Sequence, residues 1–288
     1  MNPTAIVKPP LVTERTQFVF REVRTEAELR DVLALRYQVY CETPGLKGLG
    51  SLDPTTGLDM DAYDLVSHHF ALFARDGARE TVVGTLRIAG KQIGPLSRAL
   101  GEIAVGHHSL ESRLASARLA PLPMLSHLEQ APAVRAVHDA CVARGERVAE
   151  AGRLAVRPEL RMAAARMGLR LSHFIVTGAL AVGSYLLRLD RVFVDCDAAI
   201  GSFYRRFGFE PLPGGEATYN AQFGIAFSVF EATPATVPAV LRPEVERLAQ
   251  QFAADGEATL SPTILPARAM RGPVPVPTVP PAVTPAAA

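Results

Sequence analysis

Cysteine is scarce in this chain. Its 288 residues hold three, Cys41, Cys141 and Cys196, an odd number with no CxxC spacing. That pattern excludes a disulfide framework or a cysteine zinc site and fits a reducing compartment. Charge of one sign is lacking too. Net charge is +1, so no global field draws nucleic acid or an acidic membrane surface. Long apolar runs are also missing. The longest uncharged one, Phe174–Leu187, reaches about half to two-thirds of a membrane span and contains Thr177, Gly178, Gly183 and Ser184. It is expected to be a buried helix, with no membrane span. The first residues carry no apolar stretch of signal-peptide length, so the expected location is cytoplasmic. The histidines (His68, His69, His107, His108, His127, His138 and His173) show no HExxH-like ligand spacing, and no metal site is expected.

What is present is an ordinary globular composition, 48% hydrophobic and 20% charged, long enough for one large or two small domains. Residues 1–17 lack periodicity and read as a loose arm. A globular unit follows over 18–232. Phe18–Val23 alternates as a strand, and Thr25 with Glu28 forms a capping box that opens a helix to about Tyr40. The Gly- and Pro-bearing stretch Thr43–Gly57 reads as a loop. His69–Ala74 and Thr81–Ile88 flank Asp76-Gly77 as a hairpin. Residues 90–147 read as a helical insertion of two or three short helices.

Val148–Val156 then reads as a strand, and Pro158 opens a helix predicted from about Glu159 to Arg188 with a bend near Gly168. A strand at Arg191, a short helix carrying Tyr204, and strands near Phe209 and over Phe223–Phe230 complete the unit. Residues 233–258 hold an amphipathic helix with Val240, Leu241, Val245, Leu248 and Phe252 at helical spacing. From Pro262 the chain is mostly Pro, Ala and Val. The segment 259–288 is expected to be an extended, disordered tail, either inert or a partner ligand through segments such as Pro277–Pro280.

Several charged residues sit where unpaired charge is costly. Arg36 lies on a helix face otherwise made of Val32, Leu33 and Tyr40, where it either functions or covers apolar surface with its stem. Asp61 and Asp64 are three apart, so one helical turn puts both carboxylates on one side. They either hold an ammonium, pin Arg36 and Arg87, or cap a turn. Arg87 sits in a strand with Val83 and Thr85 on its own face and is expected to have a carboxylate partner. A regular strand sends Glu150 and Arg153 to opposite faces, but Gly152 permits a bulge that brings them to one side. Glu150 is then either a general base or a structural ion-pair partner of Arg87 or Arg153.

The run Asp195-Cys-Asp-Ala-Ala-Ile-Gly-Ser-Phe-Tyr-Arg-Arg-Phe-Gly-Phe-Glu210 resembles the last segment of the GNAT N-acyltransferase superfamily, in which an Asn or Asp precedes Tyr by seven residues and Gly-Phe follows. Upstream, Leu35–Glu42, Asp61–Asp64, Gly84–Ile88 and Glu150–Val156, in that order, resemble the acyl-homoserine lactone (autoinducer) synthases, N-acyl amino acid synthases and exosortase-associated acyltransferases. The resemblance covers roughly residues 18–230. It implies an α/β (α+β) GNAT-like fold, a mixed central sheet splayed at its middle with flanking helices. It also implies transfer of a long acyl chain from a pantetheine thioester to an amine.

In that reading Glu150 is the base, Tyr204 protonates the departing thiolate, and Arg153 completes the catalytic set. Arg36, Asp61, Asp64 and Arg87 shape the acceptor side, and Val156, Arg157, Arg161 and Asp197 lie along the acyl donor. No cofactor is permanently bound; the donor is acyl-phosphopantetheine on an acyl carrier protein, or acyl-CoA. Two departures narrow the type. The usual glycine-rich pyrophosphate loop is replaced by Arg157–Gly168, whose only glycine is at its far end, and Arg157, Arg161 and Arg166 suit an acidic carrier protein. Tryptophan, usual in autoinducer synthases after the first helix, is absent. The expected function is N-acylation of an amino acid or similar amine, with an acyl carrier protein as partner. The alternatives are a non-catalytic binding module and a CoA-dependent acetyltransferase.

Overall fold

The computed structural model describes residues 16–42, 56–61, 63–64, 67–90, 120–128, 130–166, 169–220 and 224–260. Most of the expected N-terminal arm, most of the Thr43–Gly57 loop, residues 91–119 of the insertion and the tail from 261 lie outside these, as do the side chains of Arg161 and Arg166. Strand-type sequence produces β1 (Gln17–Glu22), β2 (Ser67–Asp76), β3 (Arg79–Ala89), β4 (Val148–Val156) and β5 (Arg191–Asp197). Shorter strands follow: β6 (Glu210–Pro211), β7 (Thr218–Asn220), β8 (Ile225–Ala232) and β9 (Glu257–Thr259). The helices are α1 (Glu26–Tyr37), α2 (Ala131–Ala143), α3 (Pro158–Arg166), α4 (Leu171–Ala181), α5 (Gly201–Arg205) and α6 (Arg242–Asp255). None in the described residues is long and apolar enough to cross a membrane.

The strands form one mixed sheet in the order β6-β8-β5-β4-β3-β2-β1-β9, with β7 on β8. Every neighbouring pair is antiparallel except β4 and β5. That parallel ladder is short, pairing Val148 with Arg191, Ala149 with Val192 and Glu150 with Phe193. Beyond it β4 stays with β3 up to Val156, while β5 stays with β8 up to Asp197. The sheet therefore splays between them, as expected.

Helices cover both faces. On one, α3, α4 and α6 pack on Phe20, Phe70, Leu72, Leu86 and Ala151. Phe20 is fully buried between the rings of Phe70, Phe174 and Phe252, and truncating it to Ala costs about 3–5 kcal/mol. Gly178 of α4 permits this, because a Cβ there would stand 2.5 Å from Phe20 Cδ1. On the other face α1 covers Ala71, Phe73 and Val82, while α2 and the turn Pro123–Ser126 cover Val148, Phe193 and Val229. Glu150 and Arg87 belong to this second face, in the seam between its two covers.

Thr25 caps α1 by accepting the Glu28 N–H at 3.2 Å, and Gly77, at φ 58°, turns the β2–β3 hairpin. Two boundaries are corrected. The single helix expected over Glu159–Arg188 is two: α3 packs Leu160 and Ala164 near the sheet's splay, whereas α4 runs across Phe20 and sets its own Phe174 against that ring. One straight helix cannot serve both, and the chain breaks ahead of Leu171. The tail does not begin at 259. β9 pairs with β1, and the Leu260 N–H donates to the Phe18 carbonyl at 2.8 Å. A three-residue edge strand is too short to leave a periodic signal.

Candidate active site

The site starts from the buried stripe of α1. Leu29, Val32 and Leu33 point into the core, and Arg36 follows on the same stripe with 0% exposure. It is not a surface arginine. Its Nε donates to Asp59 Oδ2 at 2.8 Å, and its Nη1 and Nη2 hold Asp64 at 2.8 and 3.1 Å. Asp61 and Asp64 tie into one turn: Asp61 N–H donates to Asp64 Oδ2, while Asp61 Oδ1 accepts from Tyr63 and Asp64 N–H. Arg87 Nη1 bonds both carboxylates at 2.7 Å. Arg153 Nη2 reaches Asp61 at 3.0 Å.

Capping and arginine-pinning were alternatives in the sequence; here one pair of carboxylates does both. Burial works to raise Asp64, but Arg36 and Arg87 outweigh it and hold the carboxyl well below the usual range. Asp61 is lowered in the same way against burial, chiefly by Arg87. His69 lies under this network, its Nε2 donating to the Asp64 carbonyl at 3.0 Å, and burial lowers it to about 4, so it is neutral at physiological pH.

Arg153 arrives by a bulge. The β3–β4 register slips between Thr85 and Arg87, placing an extra residue in β4. Leu154 and Val156 then pack on the α4 face, while Arg153 turns to the face of Glu150. The bulge was expected at Gly152; the residue in the left-handed region is Arg153 itself, at φ 56°. A non-glycine residue there costs roughly 1–2 kcal/mol, and ion pairing to Asp59 and Asp61 holds it. The Tyr40 ring lies 5.7 Å from its guanidinium, and the Tyr40 hydroxyl donates to the Leu154 carbonyl at 2.8 Å.

Glu150 stands at the last rung of the β4–β5 ladder, where the splay opens. It is 3% exposed, and its Oε2 accepts the Met124 N–H at 2.7 Å. The bonded partner is this backbone donor, not the arginine of the alternative ion-pair reading. Burial, and then the Asp195 carboxylate, push Glu150 well above the ordinary carboxyl range. Asp195, two residues past Phe193, where the pairing of β5 with β4 ends, bonds His127 Nε2 at 2.9 Å. Burial acts to raise Asp195, but that bond and its charge keep it below the ordinary value.

On the opposite face a narrow apolar slot of about 20 Å³ is lined by Ala151, Leu154, Leu180, Val194, Phe209 and Tyr204, among others. Tyr204, on α5, is buried against Phe203 and Phe209, and desolvation raises its phenol. Gly208 ends that helix at φ 86°, where a Cβ would lie 2.1 Å from the Thr236 carbonyl oxygen.

The donor-side candidates are less concentrated. Val156 is buried in β4 opposite Gly84. Arg157 donates its N–H to the Val83 carbonyl at 2.8 Å and turns its guanidinium onto the Val82 carbonyl at 3.2 Å. Asp197 caps the turn Ala198–Ile200, accepting the Ala199 N–H at 2.9 Å. Sequence reasoning missed Asp59, Asp195, His127 and the polar role of Tyr40. Asp195 lay inside the motif quoted, and Asp59 lay two residues from Asp61. His127 lay in the stretch with no readable pattern.

Residues 35–170 match the family described as acetyltransferase (GNAT) domain. Over that stretch the chain is similar to GNAT acetyltransferase domains. The matched stretch holds Arg36, Asp59, Asp61, Asp64, Arg87, Glu150 and Arg153 and ends before Asp195 and Tyr204. Among solved structures, FeeM, an N-acyl amino acid synthase from uncultured soil microbes, aligns with a TM-score of 0.50 at 16% identity. It covers 84% of this chain and 100% of its own. The acyl-homoserine lactone synthase LasI aligns at TM-score 0.41 and 16% identity, covering 85% and 96%. MesI, a CoA-dependent acyl-homoserine lactone synthase, aligns at 0.43 and 14%, covering 80% and 95%. At such identities the FeeM superposition establishes the GNAT fold and no more. A comparison with curated protein sequences finds no match.

Proposed function

We propose that the protein moves an acyl chain from a pantetheine thioester to the primary amine of an amino acid or similar metabolite, the activity named for FeeM. One observation carries this reading: the β4–β5 ladder stops at Glu150, with that raised carboxyl on one face of the opened sheet and, on the other face, an apolar slot lined by the buried Tyr204 phenol. A thioester arm lying in the slot replaces the missing ladder. The β4 backbone beyond Glu150 has no β5 partner, so an N–H there is available to the thioester oxygen as negative charge develops on it.

The acceptor enters as an ammonium and must lose a proton before its nitrogen attacks. Glu150, raised well above the ordinary carboxyl range, suits that step. The C–N bond forms and the C–S bond breaks; Tyr204 gives its hydroxyl proton to the departing sulfur, and the second proton that the nitrogen sheds in becoming an amide restores the phenol. Arg36, Asp59, Asp61, Asp64, Arg87 and Arg153 frame the acceptor side, with Arg153 at its edge. Along the donor, Val156 and Asp197 flank the arm.

Where α3 begins, Pro158 has no N–H to give and the Glu159 carboxylate occupies the first turn. That is a poor cradle for a pyrophosphate and favours a carrier-protein donor, with Arg157 and Arg161 at its approach, over CoA. The test is incubation with acyl carrier protein and CoA thioesters of varied length and a panel of amino acids, read by mass spectrometry. An N-acyl product lost in Glu150→Gln is the expected result. No product from any donor and acceptor pair overturns the substrate class.

A further inference from the structure

Glu150 does not stand alone at the splay. The turn Pro123–Ser126, which gives it the Met124 N–H, runs directly into His127, and His127 bonds Asp195. This segment is fastened to the sheet by several bonds. Asn220 Nδ2 donates to the His127 carbonyl at 3.0 Å, the His127 N–H donates to the Met124 carbonyl at 3.3 Å, and the imidazole meets Phe227 edge-on at 5.9 Å. Exposure rises along the series: Glu150 is 3% exposed, the Asp195 side chain 13% and the His127 side chain 28%.

We propose that Asp195 and His127 are a positioning dyad for Glu150. The buried Asp195 carboxylate, held by the His127 imidazole, sets the pH at which Glu150 takes a proton, and His127 carries that setting to solvent. This rests on the assignment of Glu150 as the base. Two carboxylates beside one splayed strand pair cannot both ionise freely, and the one with a strong hydrogen-bond donor keeps the charge. Asp195 has that donor in His127, whereas Glu150 has a neutral backbone N–H. The directions agree, since Asp195 is lowered with His127 as the cause that overcomes burial, and Glu150 is raised by burial and by Asp195.

The other charged and titratable groups facing the pair are Arg87 from β3 and Arg153 from β4, which both favour the Glu150 carboxylate, and Tyr40, Tyr63 and Tyr204, which remain neutral. When the acceptor ammonium gives its proton to Glu150, an N–H bond breaks and an O–H bond forms. That proton returns to solvent past Asp195 and His127, and Glu150 is an anion again.

The experiment is a carbon-detected NMR titration of the side-chain carboxyls in the full-length protein, with the Glu150 signal assigned by its loss in Glu150→Gln. It is run on wild type, Asp195→Asn and His127→Gln. Asp195→Asn removes a neighbouring negative charge and is expected to move the Glu150 midpoint down by about one pH unit or more. His127→Gln keeps a donor to Asp195 but removes a nearby positive charge, and is expected to move the midpoint up. The acid limb of kcat/KM is expected to move the same way in each variant.

A purely structural role predicts no opposed shifts, so movement of both variants in one direction, or of neither, overturns the dyad. The titration needs no substrate. Opposed shifts without any N-acyl product leave the dyad standing and sink the acyl-transfer reading. Product formation with an unmoved titration sinks the dyad alone.

Discussion

Two clusters of buried charge share one face of the sheet and are built on opposite principles. Around Arg36, three arginines face Asp59, Asp61 and Asp64, and each carboxylate touches at least one guanidinium. Around Glu150, two carboxylates sit beside one imidazole, and the inner one has only a backbone N–H. The first cluster is charge-balanced, and its Asp61 and Asp64 carboxyls are lowered. The second is unbalanced, and one carboxyl is raised. Balance gives a rigid frame, whereas imbalance gives a group that holds its proton well above the ordinary carboxyl range and can exchange it.

The sharpest way to break this contrast is to swap the readouts. Glu150→Gln is expected to lower turnover by about 10²–10⁴-fold without lowering the melting temperature, since it removes a charge that folding disfavours. Arg36→Met is expected to do the reverse in kind. It removes the fully buried cation that Asp59 and Asp64 share, leaving three carboxylates against Arg87 and Arg153 in a site with 0% exposure at Asp59 and Asp64, and a loss of about 3–5 kcal/mol is expected in urea denaturation. Were Glu150→Gln to unfold the protein, or Arg36→Met to leave its stability untouched, the two clusters would not differ as described.

The contrast extends to pH. In the unfolded chain Glu150 ionises near the ordinary 4.5, while in the fold it keeps its proton to a much higher pH. The native state then binds the extra proton, so stability falls as pH rises from 4.5 towards the raised native value. Asp64 acts oppositely. Its native value lies well below the ordinary 3.8, so its contribution is present above 3.8 and is lost as pH falls through the native value. The difference in unfolding free energy between Glu150→Gln and wild type should therefore grow in favour of the variant from pH 4.5 upward. Urea midpoints at pH 4 and pH 7 measure it, and an unchanging difference would show that Glu150 is not raised.

Much of the frame was legible because its residues obey local rules. Arg36 falls on the helical period of Leu29, Val32 and Leu33, Asp61 and Asp64 are one turn apart, and Arg87 sits mid-strand among apolar neighbours. Each needs only helix or strand geometry to imply a buried partner. The splay was legible through Glu150, Gly152 and Arg153 with the family resemblance, although the strained residue is Arg153. The second cluster was harder. His127 and Asp195 are 68 positions apart, and nothing in either neighbourhood implies the other. Their meeting depends on how a patternless stretch folds back over β4 and β5. Asp59 was missed because it precedes its turn and carries no periodic signal. β9 was missed because three residues cannot show alternation.

The smallest expected effect tests where the frame ends. Arg153 belongs to the balanced cluster, yet its side chain is 22% exposed, whereas Arg36 shows none. Each carboxylate it touches keeps another arginine when it is removed, Asp59 retaining Arg36 and Asp61 retaining Arg87. Its left-handed backbone also costs roughly 1–2 kcal/mol that glycine would not. Arg153→Gly therefore loses partly solvated ion pairs and gains backbone ease, and the two nearly offset. Stability is expected within about 1 kcal/mol of wild type, while the KM for the amine acceptor rises. A loss as large as that of Arg36→Met would make Arg153 part of the buried frame. An unchanged KM would remove it from the acceptor's edge.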